Sequence, residues 1–367
     1  MRRATLKDVA EAAGVHLSTV SRALNPSTRH LLTPAVVDHI REISRKLDYH
    51  PNAAAHSLRT NRTRTVGIVV PDITNPVFPP IIRGIEDSLA KRGYLAILAN
   101  TDGRLDQEAE IARALRARGV DGLILASVER EDKAVSRLAA EGLPIVTVNR
   151  RVDDPAVSSV VNDEAEGMRQ VLAHLSSLGH RSIATIAGPQ SLSTGVERYR
   201  AFETCRHDLD RDGDEALVVF AAGFNEEEGV SGAEELLGRR TGMTAIVCAN
   251  DRLAIGAITA LRRHGLDCPG DISVSGYNDM PLADRLSPPL TTVRIQQYDV
   301  GLHAADILMD MIATPPERRI PRHLIRPVEL ITRGSTGAPP MRPARAGKKR
   351  RGEGSAALTR GAARPRR

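Results

Sequence analysis

The stretch GVHLSTVSRALN, Gly14 to Asn25, gathers Ser18, Thr19, Ser21 and Arg22 on a segment of helix length. These side chains suit the edges of bases: arginine grips guanine, and hydroxyls bond bases or phosphates. The spacing around them supports that chemistry. Ala10, Gly14 and Val20 supply a small residue where two helices touch, a glycine for a left-handed turn, and an apolar residue that packs the second helix back. A helix-turn-helix of this kind buries Val20 and Leu24 and turns Leu17, Ser18, Ser21 and Arg22 outward. The alternative is a polar outer face on a small bundle.

A second set of side chains follows apolar runs further along. Phe78 comes after TVGIVV, Ser127 ends DGLILAS, and Asn149 and Arg150 follow PIVTV. Arg198 lies in GVERYRAF, Phe224 follows ALVVFAAG, Asn250 ends TAIVCAN and Asn278 ends ISVSGYN. The chain has four Phe and no Trp, so two Phe in this set stand out; such rings stack on a sugar face or a planar base. The alternative for the asparagines is a turn, since Asn takes left-handed conformations at strand ends. Catalysis has no support. H-E-x-x-H, G-x-x-x-x-G-K-S/T, G-x-S-x-G and a G-x-G-x-x-G after a strand are all missing, and the histidines are scattered. No catalytic residue, metal ligand or cofactor is expected.

The elements that position these residues fall into zones. From Thr5 to about Leu47 the pattern is short helices: Leu6, Val9, Ala10 and Ala13 keep helical spacing, Thr5 and Asp8 form a start signal, and Thr33-Pro34 opens a third helix. YHPNAAAHSLRTNRTRT holds a short alanine-rich helix and a polar linker. From Thr65 about eight apolar runs alternate with amphipathic segments such as IIRGIEDSLAKRG. Buried strands separated by helices mean parallel sheets with right-handed crossovers, here as two doubly wound lobes with a cleft beyond the strand ends. The fold class is thus α/β, with an all-α helix-turn-helix head before a two-lobed parallel-sheet body. The Pro/Gly/Arg/Ala-rich tail from Ser335 has no periodicity and reads as disordered.

Charge is distributed to match. Residues 1–64 carry a net +6, residues 335–367 a net +9, and residues 65–334, with 30 basic and 39 acidic side chains, a net −9. A basic head on an acidic body argues for an anionic partner at that end, with nucleic acid the leading candidate. Three cysteines without metal-ligand spacing, no secretory signal and no membrane-length apolar run fit a cytoplasmic protein.

TLKDVAEAAGVHLSTVSRALN followed by LDYHPNAAAHSLR resembles the LacI/GalR family of bacterial transcription regulators. So does the body, through VGIVVPDITNPVF, DGLILAS, GPQSLSTGVERYRAF, ANDRLAIGA and DISVSGYNDMPLADRLSPPLTTVR, which extends the resemblance over about residues 4–334. The resemblance implies a periplasmic-binding-protein-like effector domain behind the head. It gives Leu17, Ser18 and Arg22 base-reading roles and sets Thr19, Ser21 and Asn25 against phosphates, with Thr5 in the same DNA-binding surface. Asn52, Ala55 and Leu58 match a hinge helix that enters the minor groove, with Leu58 as the wedge in a central base step. His16 stands where a Ser commonly caps the recognition helix, and the turn through NPSTRHLLTPAVVDHI is longer than usual; Arg29 in it is placed to restore a phosphate contact. Phe78, Asn149, Arg150, Arg198, Phe224, Asn250 and Asn278 match effector-pocket positions, with Ser127 a further candidate.

Many relatives carry Asp where this chain has Asn149 and Asn278, which leaves the pocket more positive beside Arg150 and Arg198. The expected effector is a sugar or an acidic sugar derivative. The expected partners are double-stranded DNA at a pseudo-palindromic operator, the effector, and a second copy in a homodimer, with no membrane. The domains would be 1–50 for the head, 51–64 for the hinge helix and linker, 65–334 for the body and 335–367 for the tail. Within the body, lobe 1 would take about 65–162 and 291–322, and lobe 2 about 163–290 and 323–334. A solute-binding protein of the same two-lobed fold is the other reading.

Overall fold

In the head, α1 (Leu6–Ala13), α2 (Leu17–Leu24) and α3 (Pro34–Lys46) enclose a small core of Val9, Ala10, Ala13, Val20, Ala23, Val37 and Ile40. The structure is a computed structural model describing residues 4–25, 28–49, 62–209, 217–239 and 242–340. Gly14 ends α1 at φ 63°, and its N–H caps the carbonyls of Ala10 and Glu11. That left-handed turn is the conformation glycine adopts without penalty, and it swings α2 across α1. Val20 and Ala23 are fully buried, while Leu24 is only half-buried at the edge of this core.

The body begins with β1 (Thr65–Val70), α4 (Phe78–Lys91), β2 (Leu95–Asn100), α5 (Leu105–Ala117), β3 (Gly122–Leu125), α6 (Lys133–Ala140), β4 (Ile145–Val148) and β5 (Ser158–Asn162). It continues with α7 (Glu164–Ser177), β6 (Ile183–Ala187), α8 (Ser193–Leu209), β7 (Val218–Phe220), α9 (Glu226–Gly238), β8 (Ala245–Cys248), α10 (Asp251–Arg263), β9 (Ser273–Asn278) and β10 (Thr291–Arg294). It closes with α11 (Gln297–Ala313), β11 (His323–Arg326) and β12 (Glu329–Ile331). Two six-stranded sheets result, ordered β11-β5-β4-β3-β1-β2 and β12-β10-β9-β8-β6-β7, and parallel except for the β10–β12 pair.

Successive residues of these strands feed opposite cores, as a sheet covered on both faces requires. On β1, Val66, Ile68 and Val70 enter one cluster and Val69 the other; on β8, Ile246 and Cys248 face one side and Ala245 and Val247 the other. The tightest helix contact in lobe 1 is α4 on α11. A Cβ at Gly84 would lie 2.1 Å from the Tyr298 carbonyl oxygen, and one at Gly301 2.0 Å from that of Ile81.

The sheets correct two of the expected boundaries. Thr291–Arg294 pairs with β9 and belongs to lobe 2; His323–Arg326 pairs with β5 and belongs to lobe 1. The chain therefore recrosses between β10 and α11 and again between β11 and β12. Strands β5, β10, β11 and β12 were not among the eight apolar runs. The first two carry Ser158, Ser159, Thr291 and Thr292, all buried, because strand hydroxyls with hydrogen-bond partners can lie in a core without an apolar signature.

The tail does not begin at Ser335. That residue is fully buried, its hydroxyl donates to the Val274 carbonyl (2.6 Å) and accepts from the Thr291 N–H (2.8 Å), and its own carbonyl accepts from the Val274 N–H. The Gly337 N–H follows by donating to Ser273 Oγ at 3.0 Å. Side-chain and backbone hydrogen bonds, rather than apolar burial, tie this segment to lobe 2.

Candidate functional site

The head presents the expected face. Leu17, Ser18, Ser21 and Arg22 are exposed, and Thr19 and Asn25 are half-buried at its margin. Thr5 caps α1 in a capping box: its Oγ1 accepts from the Asp8 N–H (3.3 Å) and donates to Asp8 Oδ2 (2.8 Å). His16 is a working cap. Its Nδ1 accepts from the Ser18 N–H at 3.3 Å and lies 2.8 Å from the Ser18 hydroxyl, which satisfies one of the free donors at the start of α2. The longer turn folds into a short 3₁₀ segment, Arg29–Leu31, which leaves Arg29 exposed. Asn52, Ala55 and Leu58 lie outside the described residues.

In each body sheet the strand order reverses next to the first strand, between β1 and β3 and between β6 and β8. Ligand crevices form at such switch points, beyond the carboxyl ends of the strands. A cleft lies there, lined by Asn75, Val77, Phe78, Asn149, Arg150, Thr194, Arg198, Phe224, Asn250 and Asn278. Seven of the eight expected effector residues thus meet in one place.

Ser127 does not line the cleft. It is buried in lobe 1 beside the Glu108 carboxyl, because the chain after β3 turns it toward α5. Asn75, Val77 and Thr194 are lining residues that sequence reasoning missed. Asn75 had a local signal: in ITNPVF its Oδ1 accepts from the Val77 N–H at 3.1 Å, a turn that starts the approach to α4.

The two arginines of the cleft differ in kind. Arg198 is clamped: Nε and Nη2 donate to Glu164 at 2.6 and 3.2 Å, Nη1 donates to the Ala249 carbonyl at 2.6 Å, and the guanidinium lies 3.7 Å from the Tyr277 ring centroid. Burial works against its charge, but Glu164 and the neighbouring acidic groups outweigh it and raise its pKa. Arg150, 9% exposed, makes no ion pair among the described residues; its Nε has no hydrogen-bond partner, and it lies over the Phe224 ring at 5.9 Å. Burial lowers its pKa to about 10, so it stays protonated at neutral pH. Two carboxyl groups offset its charge, Glu108 and then Glu129; Glu108 is itself pushed up to about 8, first by burial and then by the like charge of Asp132.

The asparagines serve turns and cleft together. Asn149 (φ 65°) and Asn278 (φ 112°) sit in left-handed backbone at strand ends. Asn250 caps α10, its Oδ1 accepting from the Leu253 N–H at 2.8 Å and its Nδ2 donating to the Phe224 carbonyl at 3.3 Å. Phe224 in turn packs where only glycine leaves room, since a Cβ at Gly188 would fall 2.5 Å from its ring. Contacts between the lobes flank the cleft: Arg252 to Asp72 on one side, and on the other Arg151 to Glu197 (2.8 Å) and the Arg151 N–H to Ser193 Oγ (3.0 Å).

Comparison with known proteins gives the same two-part division. Residues 5–52 match the family model of bacterial regulatory proteins, lacI family, and residues 63–334 match that of periplasmic binding proteins and the sugar-binding domain of the LacI family. The chain is similar to the HTH-type transcriptional regulator CelR of Thermobifida fusca, 34% identical over 91% of this chain and 98% of that one. It is also similar to the HTH-type transcriptional repressor PurR of Aliivibrio salmonicida (strain LFI1238), 32% identical over 86% and 95% of the two chains. Among solved structures, a CelR–cellobiose complex superposes with a TM-score of 0.69 at 32% identity, covering 91% of this chain and 100% of that one. A lac repressor dimer bound to operator and the anti-inducer ONPF superposes at 0.79 with 25% identity, covering 92% and 100%. The chain belongs to the LacI family of bacterial regulatory proteins.

Proposed function

We propose that this protein is a sequence-specific DNA-binding transcription regulator, a repressor, whose hold on an operator is set by a sugar or sugar-derived effector in the interlobe cleft. One observation carries the reading: a helix with an exposed polar face is joined in one chain to a polar-lined cleft between two lobes. Leu17, Ser18 and Arg22 read bases; Thr5, Thr19, Ser21 and Asn25 meet the backbone; Asn52, Ala55 and Leu58 act in the minor groove. Ligand binding shifts the lobes between closures, by no more than its differential affinity for them. These relatives are transcriptional regulators, and the matched head sets the chain apart from a solute-binding protein.

The regulator works as a homodimer in the cytoplasm. Its edge strand β2, LAILAN, leaves Leu95 (72%), Ile97 (37%) and Leu98 (39%) exposed, an apolar edge of the kind a second copy covers. Two heads on a two-fold axis call for a two-fold symmetric site. In vitro selection from a random duplex pool tests this. Enrichment of one symmetric sequence supports it; a pool that stays random after repeated rounds refutes it.

A further inference from the structure

The sequence treats Arg150 and Arg198 as a pair of positive charges; the structure separates them. Arg198 is neutralised by Glu164 at hydrogen-bond distance, so its charge is spent within lobe 2. Arg150 comes from lobe 1, is nine-tenths buried, and has no oxyanion partner among the described residues. None of the residues lining the cleft is acidic. A buried guanidinium is costly unless an anion meets it; here no carboxylate hydrogen-bonds it among the described residues, and Glu108 and Glu129 offset its charge only from a distance.

Two further buried polar atoms share this position. Asn149 Oδ1 and Thr194 Oγ1, on residues that line the cleft, have no hydrogen-bond partner. Together with Arg150 Nε they offer a cationic donor, a neutral acceptor and a hydroxyl. The Phe78 and Phe224 rings add flat apolar walls.

From this we infer that the cleft takes a hydroxylated anion, a sugar acid or a sugar phosphate, whose acidic group sits against Arg150. The inference rests on the cleft being the effector pocket and names the class of effector. The acidic group accepts from the Arg150 guanidinium, a ligand hydroxyl donates to Asn149 Oδ1, and another bonds Thr194. Carboxylate and phosphate share this chemistry, because either presents oxygens to the guanidinium fork.

The test is calorimetry on the full chain with matched ligands: D-glucose against D-glucuronate and glucose 6-phosphate, and D-ribose against ribose 5-phosphate. The expected result is at least one anion binding tenfold or more tightly than its neutral counterpart, with that preference lost in Arg150→Gln and largely kept in Arg150→Lys. The carboxylate and phosphate arms distinguish the two sources of charge. Melting transitions establish that each variant folds. If Arg150→Gln does not, the salt dependence of the wild-type protein decides: weakening between about 50 and about 500 mM salt supports the assignment, and salt-independent affinity overturns it. Neutral sugars binding as tightly as their acids would also overturn it, as would protein that binds duplex DNA but none of the anions at millimolar concentration. Arg150-dependent anion binding that leaves DNA affinity unchanged supports the assignment and instead contradicts the regulatory reading.

Discussion

Arg252 of lobe 2 reaches across the cleft to Asp72 of lobe 1, Nη1 to Oδ2 at 3.2 Å, while its other nitrogens hold Glu226 of its own lobe. The bond spans the two lobes whose relative movement would carry the signal. Both side chains are partly exposed, so the pair is worth about 0.2–1 kcal/mol. Asp72→Asn removes the interlobe half and leaves the Arg252–Glu226 pair intact. The expected result is an unchanged melting temperature and a few-fold weaker effector affinity, read by titration at low and high salt.

The Arg198–Glu164 pair behaves differently because both side chains are almost wholly buried. Glu164→Gln strands the guanidinium against Tyr277 and the Ala249 carbonyl. Breaking such a pair from one side costs roughly 3–5 kcal/mol. Urea unfolding of the variant should show a loss of that order, well beyond the Asp72→Asn change.

Glu108 sets a pH dependence. Burial pushes its carboxyl up to about 8 in the folded chain from 4.5 for a free glutamate, with Asp132, Ser127 and Arg150 as its polar neighbours. Below the lower value both states hold the proton. Between the two the folded state holds a proton that the unfolded state has released, so stability falls as pH rises and levels off above the upper value. Glu108→Gln keeps the shape without the ionisable group. It should stabilise the protein by on the order of 2–3 kcal/mol at neutral pH and by little near pH 4. Asp251, raised to about 7 by burial, titrates in the same window, so the difference between wild type and variant is the quantity to measure. Above about pH 8 an ionised Glu108 would also compete for Arg150 and weaken an anionic ligand.

On the head, Arg22→Ala and Arg29→Ala should part company. Arg22 lies on the exposed face of α2; on the proposed base-reading role, its loss should cost about 1–3 kcal/mol and relax preference at one position of the site. Arg29 lies exposed in the 3₁₀ turn; on the proposed contact with the DNA backbone, its loss should weaken all sequences alike and reduce the salt slope by about one. Anisotropy titrations on a selected site and its single-base variants separate the two.

Much of this was legible in the amino-acid order because the signals are local. Gly14 marks its turn through one backbone angle, and Asn149, Asn250 and Asn278 mark strand ends where the cleft forms. What was not legible depends on residues far apart in sequence. Glu164 neutralises Arg198 across 34 positions, and Ser335 replaces apolar burial with bonds to strands 44 and 61 residues away. Ser127 ends an apolar run like the asparagines, yet α5 folds over it and hides it beside Glu108. The lobe boundaries were misplaced because β10 and β11 carry no mark of the sheet they join; only their partners β9 and β5 reveal it.

The central claim is that the head grips a chosen duplex and that occupancy of a remote cleft governs the grip. The direct measurement is the affinity of the full chain for a selected symmetric duplex and for its scrambled counterpart, at one fixed salt concentration, with and without a cleft ligand found by calorimetry. The account predicts a preference of about a thousandfold or more for the selected duplex in one ligand state and a marked change in the other. Equal affinity for both duplexes in both states would contradict it.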